Sequence, residues 1–157
     1  MKKILVLENI RSVHNVGAIF RTADAIGMDE IILVGYTPAP VDRFGRARED
    51  LRKAALGAEQ SVAWRQISED GLVDFLNDRR AEGFKIIALE QAENSVDYKS
   101  VEVLSDVAIV VGNEVTGVSK RVLDISYSVA EIEMAGKKES LNVSVATGIL
   151  LFRLFDR

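Results

Sequence analysis

Cysteine is absent from the 157 residues and histidine occurs once. Without cysteine there is no disulfide framework and no thiolate zinc site, and one imidazole weighs against a metal centre built from protein ligands alone, so no metal is expected. Proline occurs twice, both times in YTPAPVDRFGRAR. An excess of basic charge is also missing: 20 Lys and Arg stand against 24 Asp and Glu, for a net charge of −4 and a pI near 5.1. That balance weighs against a protein that coats nucleic acid nonspecifically, since such binding needs many cations on phosphates, but it leaves room for a local basic site. No long apolar run is present. MKKILVLENI opens like a signal peptide, yet its apolar stretch is only Ile4 to Leu7 before Glu8 and Asn9 interrupt it, and no other run approaches the roughly 18 residues of a membrane span. A soluble, cytoplasmic protein without a membrane partner is expected.

What is present is an ordinary globular composition, 48% hydrophobic and 28% charged, in a chain the length of one domain. KILVLE near the N-terminus, EIILVG at 30–35, FKIIALE at 84–90 and VAIVVG at 107–112 are apolar on successive residues, the mark of strands covered on both faces. Helical spacing occupies 16–27, 48–57, 68–82, 119–124 and 142–156. Short strands near 127–132 and at SVAW, 61–64, would bring the sheet to five or six strands. This alternation predicts the α/β class, a parallel sheet flanked by helices, over a single domain from 1 to 157. The segment from Tyr36 to about Arg48 is the longest candidate for a mobile loop.

Ligands in open α/β sheets bind beyond the carboxyl ends of the strands, so the segments after strands hold the candidate chemistry. NIRSVHNVGAIFRTA at 9–23 follows the first strand. With Asn15 as N-cap, Val16, Ile19, Phe20, Ala23 and Ile26 share one helix face, Arg21 and Asp24 point elsewhere, and Gly17 lies one turn below Arg21, leaving a bare surface for a ligand backbone. Spacing alone is equally met by a plain capped helix with an Arg21–Asp24 surface pair, and His14 reads as a turn residue. GNEVTGVS at 112–119 follows another strand, with two glycines bracketing a polar turn and Ser119 placed to cap the next helix. It is neither a Walker loop nor a dinucleotide fingerprint. MAGKKESLN at 134–142 is a polar loop in which Ser140 or Asn142 can cap the last helix. In that helix Leu141, Val145, Ile149 and Phe152 form one apolar face and Val143, Ala146, Leu150 and Leu154 another, a pattern suited to a subunit interface; a homodimer is expected.

Together these segments resemble the three motifs of the SpoU (TrmH-type) RNA ribose 2′-O-methyltransferases of the SPOUT superfamily. The matching residues are N-x-x-R-S-x-x-N-V-G-A-I-F-R-T-A-D-A-x-G at 9–27, I-V-V-G-N-E-x-x-G-V at 109–118 and I-E-M-x-G-x-x-x-S-L-N-V-S-V-A at 132–146, with ALGAE at 55–59 between the first two. The resemblance implies an α/β domain whose C-terminal part is threaded into a deep trefoil knot, S-adenosylmethionine as cofactor, tRNA or rRNA as substrate, and active sites built at a dimer interface. Base rates disfavour any knot, and periodicity would not have suggested one. Carried over by position, Arg21 matches the catalytic arginine, Asn15 the asparagine near it, Glu114 the glutamate of the second motif, and Ser140 and Asn142 the polar residues of the third. The cofactor would lie against Leu89, Gly112, Asn113, Gly117, Ile132, Met134, Ser140 and Leu141. The resemblance leaves Arg21 two roles, as a base or as a phosphate clamp. Arg11, Arg43, Arg46 and Arg48 are the candidates for RNA backbone contact, positioning the substrate without specifying its sequence. The competing classes are a non-catalytic SPOUT-like dimer that binds RNA or a nucleotide, and a flavodoxin-like nucleotide binder.

Overall fold

The computed structural model describes residues 1–155. Seven parallel strands form one sheet in the order β3-β2-β1-β6-β4-β7-β5. They are β1 (Lys3–Glu8), β2 (Glu30–Val34), β3 (Ala63–Ile67), β4 (Lys85–Leu89), β5 (Val96–Asp97), β6 (Val107–Val111) and β7 (Ser128–Glu131). Val6 in β1 lies between Ile32 of β2 and Val110 of β6, so the central strands are apolar on both faces and their sequences lose alternation.

The two faces take different helices. Leu5, Leu7, Ile31, Leu33, Ile87 and Ile109 pack with buried residues of α1 (Val13–Ile26), α2 (Glu49–Ala55) and α6 (Val143–Leu154). The alternate residues, Ile4, Val6, Ile32, Ile86, Ala108 and Val110, pack with α4 (Leu72–Ala81) and α5 (Lys120–Ile125). A one-turn helix, α3 (Ala58–Ser61), lies beside α1. The sheet has more strands than expected because β5 is two residues long, too short to carry a pattern, and β3 begins two residues after SVAW does. As an edge strand, β3 keeps most of its side chains exposed.

Two readings of the opening stretch need correction. Ser12, not Asn15, caps α1: its backbone is extended, and its Oγ accepts the Asn15 N–H at 3.2 Å. The helix therefore starts at Val13, which places His14 in its first turn, exposed, rather than in a preceding turn. Gly17 does not bare a surface for ligand. It is buried where α1 crosses α2, and a Cβ there would lie 2.5 Å from the Ala54 Cβ and 2.9 Å from the Leu51 carbonyl oxygen. Alanine would favour the helix by up to about 1 kcal/mol, but overpacking against a neighbouring backbone costs about 1–3 kcal/mol. Gly17→Ala is thus expected to lower the unfolding free energy by about 1–2 kcal/mol, read by urea denaturation; an unchanged midpoint would show that the α1–α2 contact yields easily.

The last helix divides as its two stripes suggested. Leu150, Leu151 and Leu154 are buried in the domain, whereas Val145 is 50% and Phe152 41% exposed. Asn142 is the residue that caps it, its Oδ1 accepting the Ser144 and Val145 N–H groups. The helix ends at Leu154, and residue 156 of the expected span lies outside the described residues.

Candidate active site

The carboxyl ends of β4, β6 and β7 open into a cleft of about 720 Å³. Leu89, Val111, Ile132, Leu141 and Val143 supply apolar lining, and Glu90, Glu131 and Glu139 are acidic residues of the same lining. Parallel strands place these groups side by side because every chain leaves the sheet at the same end.

The loop from Gly112 to Ser119 forms one wall. Gly112 packs directly against the Gly117–Val118 peptide, leaving no space for a Cβ. Asn113 is buried, and its Oδ1 accepts the Val115 and Thr116 N–H groups at 2.8 and 2.9 Å. Its Nδ2 donates to the Asn9 carbonyl and to the Tyr36 Oη, so the side chain braces the loop rather than reaching into the cleft. At the far end of the loop the Glu90 carboxylate accepts the Val118 N–H at 2.8 Å and Glu8 accepts the Ser119 N–H at 3.0 Å. Ser119 stands at the cap position of α5 as expected, but its hydroxyl does not cap the helix and is buried without a partner.

At the mouth of the cleft the three separated motifs meet. Glu114 accepts the Arg11 and Ser12 N–H groups at 3.0 and 3.1 Å, and Asn15 Nδ2 donates to the same carboxylate at 3.2 Å. Asn142 Nδ2 donates in turn to Asn15 Oδ1 at 3.1 Å. Partial burial pushes the Glu114 carboxyl up, but the Arg11 and Ser12 N–H groups, its own N–H and Asn15 outweigh it and hold the group below its usual value.

Of the residues expected to hold a cofactor, Leu89, Gly112, Asn113, Gly117, Ile132, Ser140 and Leu141 line the cleft. Met134 does not; the chain turns away after Ile132, and residues 133 to 138 pass outside the cleft lining. Glu114 and Asn142 line it, and Asn15 reaches it through them. Arg21 does not line the cleft. It is exposed on α1, six residues or about 9 Å of helix rise beyond Asn15. The expected pair with Asp24 is not formed: Asp24 accepts instead from the Ser61 hydroxyl at 2.6 Å. Arg11 is exposed beside Glu114, while Arg43, Arg46 and Arg48 line a second groove, beyond β2. Glu8 and Glu90 escaped the sequence reading, although a carboxylate directly after four apolar strand residues was a legible signal of a group turned into a strand-end turn.

Residues 2–152 match the model of the SpoU rRNA Methylase family. The chain belongs to that family. A Staphylococcus aureus protein assigned to the TrmH family of tRNA/rRNA methyltransferases is 32% identical over all 157 residues, which make up 60% of that relative. An AdoMet-bound rRNA methyltransferase from Sinorhizobium meliloti superimposes with a TM-score of 0.85 at 32% identity, over 97% of this chain and 55% of that one. The A. aeolicus TrmH/SpoU tRNA modifying enzyme gives 0.85 at 29% identity, over 99% and 75%. This SpoU chain thus spans about 60% of the length of the curated relatives it matches.

Glu114 carries a pH signature. Its folded-state value lies below the usual 4.5. Its contribution to stability is therefore complete above that value and lost as pH falls through the lowered one. Glu114→Gln turns an amide donor toward backbone donors, so the variant is expected to melt several degrees lower at neutral pH. The gap between the two proteins should close on acidification below pH 4.5. A gap independent of pH across that range would show that the charge on Glu114 holds nothing together.

Proposed function

We propose that this SpoU-family chain is an S-adenosylmethionine-dependent RNA methyltransferase that modifies a ribose 2′-hydroxyl of tRNA or rRNA and works as a homodimer in the cytoplasm. The observation that carries the reading is the Asn142–Asn15–Glu114 chain of hydrogen bonds, which closes the three family motifs around the mouth of one cleft. The cleft suits the cofactor. Glu131 and Glu139 line a space that Leu89, Val111, Ile132 and Leu141 make partly apolar, a match for a molecule with a cationic sulfonium, a cationic amine and a flat purine. When bound, S-adenosylmethionine supplies an electrophilic methyl group. Leu89, Gly112, Ile132, Ser140 and Leu141 would hold it, largely through backbone groups.

A ribose hydroxyl is a weak nucleophile at neutral pH, so the chain must aim it and ease the loss of its proton. Arg21 is suited to the aiming. An arginine stays protonated, and its planar fork matches a phosphate, so it can clamp the RNA backbone beside the target ribose. Its position on α1, outside the cleft of its own chain, and the exposed Val145 and Phe152 on the neighbouring α6 support a dimer in which Arg21 serves the partner's cleft. The expected knot belongs to the same proposal: the segment after β7 supplies Ser140 to Asn142 to the cleft before α6 returns to pack on α1.

Among the described residues no helix is long and apolar enough to cross a membrane. Incubation of the protein with labelled S-adenosylmethionine and separate tRNA and rRNA fractions, followed by mapping of alkali-resistant linkages, tests the function. Label at one 2′-O position in one fraction is the expected result. Cofactor binding with no transfer to either fraction would favour the non-catalytic dimer.

A further inference from the structure

Beyond β2 the chain forms a second groove, of about 510 Å³, bounded by Tyr36 and by a tight turn at 42–46. The turn is built, not loose. Val41 and Ala47 form an antiparallel bridge, and the Asp42 carboxylate accepts the Phe44 and Arg46 N–H groups at 2.8 and 3.0 Å and Arg46 Nε at 2.9 Å. This fixes Phe44 outward, 67% exposed, with the guanidinium carbons of Arg43 and Arg46 at 4.8 and 4.9 Å from its ring centroid. Burial does not explain so large an apolar side chain at a turn tip. Three arginines line this groove; Arg46 pairs with Asp42 and Arg48 Nε lies 3.7 Å from Asp50, and among the described residues Arg43 has no acidic partner. Tyr36, 58% exposed, joins this groove to the cleft, because its hydroxyl meets Asn113, which braces the cleft wall.

The geometry points to a subsite for an unpaired RNA nucleotide near the one that is modified, its base continuing the Arg43–Phe44–Arg46 stack and its phosphates meeting Arg43 and Arg48. The inference rests on the RNA methyltransferase reading and adds to it that the substrate is single-stranded at this position. Stacked guanidinium and phenyl groups accept any flat base on their free faces. A paired base offers no free face, so duplex RNA meets the arginines through its backbone alone. An acidic peptide would use the charges and leave the exposed ring without a role.

The test compares the full chain with Phe44→Leu and Arg43→Lys, using a short oligouridylate and a blunt RNA duplex of similar length in fluorescence anisotropy over a range of salt. Both substitutions lie at the exposed turn tip, and melting temperature verifies that each variant is folded. Each variant is expected to bind oligouridylate about tenfold more weakly or worse, with its salt slope kept and duplex affinity unchanged. Equal losses on the duplex, unchanged affinity for oligouridylate, or no binding of oligouridylate by the unsubstituted chain would overturn the inference. Methyl transfer to bulk tRNA or rRNA by the unsubstituted chain is measured alongside. Transfer with an unaffected Phe44→Leu sinks this subsite and leaves the enzyme reading intact, whereas no transfer sinks that reading.

Discussion

Arg21→Ala is expected to lower methyl transfer by about two to four orders of magnitude while S-adenosylmethionine affinity stays within about twofold. The size follows from the proposed role: loss of a phosphate clamp would leave the hydroxyl unaimed, and misplacement by about 1 Å costs on the order of 100-fold. The intact cofactor affinity follows from position, since Arg21 is exposed on α1 and no part of it lines the cleft. Position also makes a stronger test available. If Arg21 serves the partner's cleft, mixing Arg21→Ala with a variant disabled in the cleft forms hybrid dimers in which one site holds both defects and the other none. Activity should return to about a quarter of the unsubstituted level, because hybrids form about half of a random mixture and each keeps one of two sites. No recovery on mixing, with exchange of subunits shown independently, would place Arg21 and the cleft of one chain in the same site.

Gly112→Ala is expected to weaken S-adenosylmethionine by about 100-fold or more. The added Cβ would run into the Gly117 carbonyl and the Val118 nitrogen, backbone atoms that cannot swing aside as a side-chain end would. The loop behind them is pinned at Val118 by Glu90, at Ser119 by Glu8 and at Val115 and Thr116 by Asn113. Relief must come by opening the wall of the cleft, and overpacking of this kind costs about 1–3 kcal/mol before any loss of contacts to the cofactor. Calorimetric titration reads the affinity. An affinity equal to that of the unsubstituted chain would mean that the wall takes no part in binding. Transfer should fail along with binding, whereas Arg21→Ala loses transfer alone.

Much of this architecture was legible because the sheet is parallel and buried. Strands such as VAIVV advertise themselves as apolar runs, and the helices between them keep their spacing. Short elements were not legible: two residues at Val96–Asp97 carry no period, and an edge strand such as β3 has little apolar face to show. The site residues emerged from the order of three motifs, which is a resemblance and not a geometry. Spacing alone misplaced the start of α1 by attending to Asn15, when Ser12 three residues earlier offered an equally good capping oxygen. It read Gly17 as open surface because the helix that fills that surface, α2, lies about 35 residues on and no local pattern announces it. The turn around Phe44 looked like loose chain for its proline and arginine content, while its order comes from one carboxylate, Asp42, accepting three donors.

The hydrogen bonds at the cleft mouth join residues 99 and 127 positions apart. Contacts of such long range form late, since a great length of chain must lose its freedom before they can repay it. During synthesis the ribosome releases residue 142 long after residue 15 and after every strand of the sheet, so a nascent chain can build most of its sheet without possessing a closed mouth. On the function proposed above, competence for cofactor and RNA would then arrive in one late step.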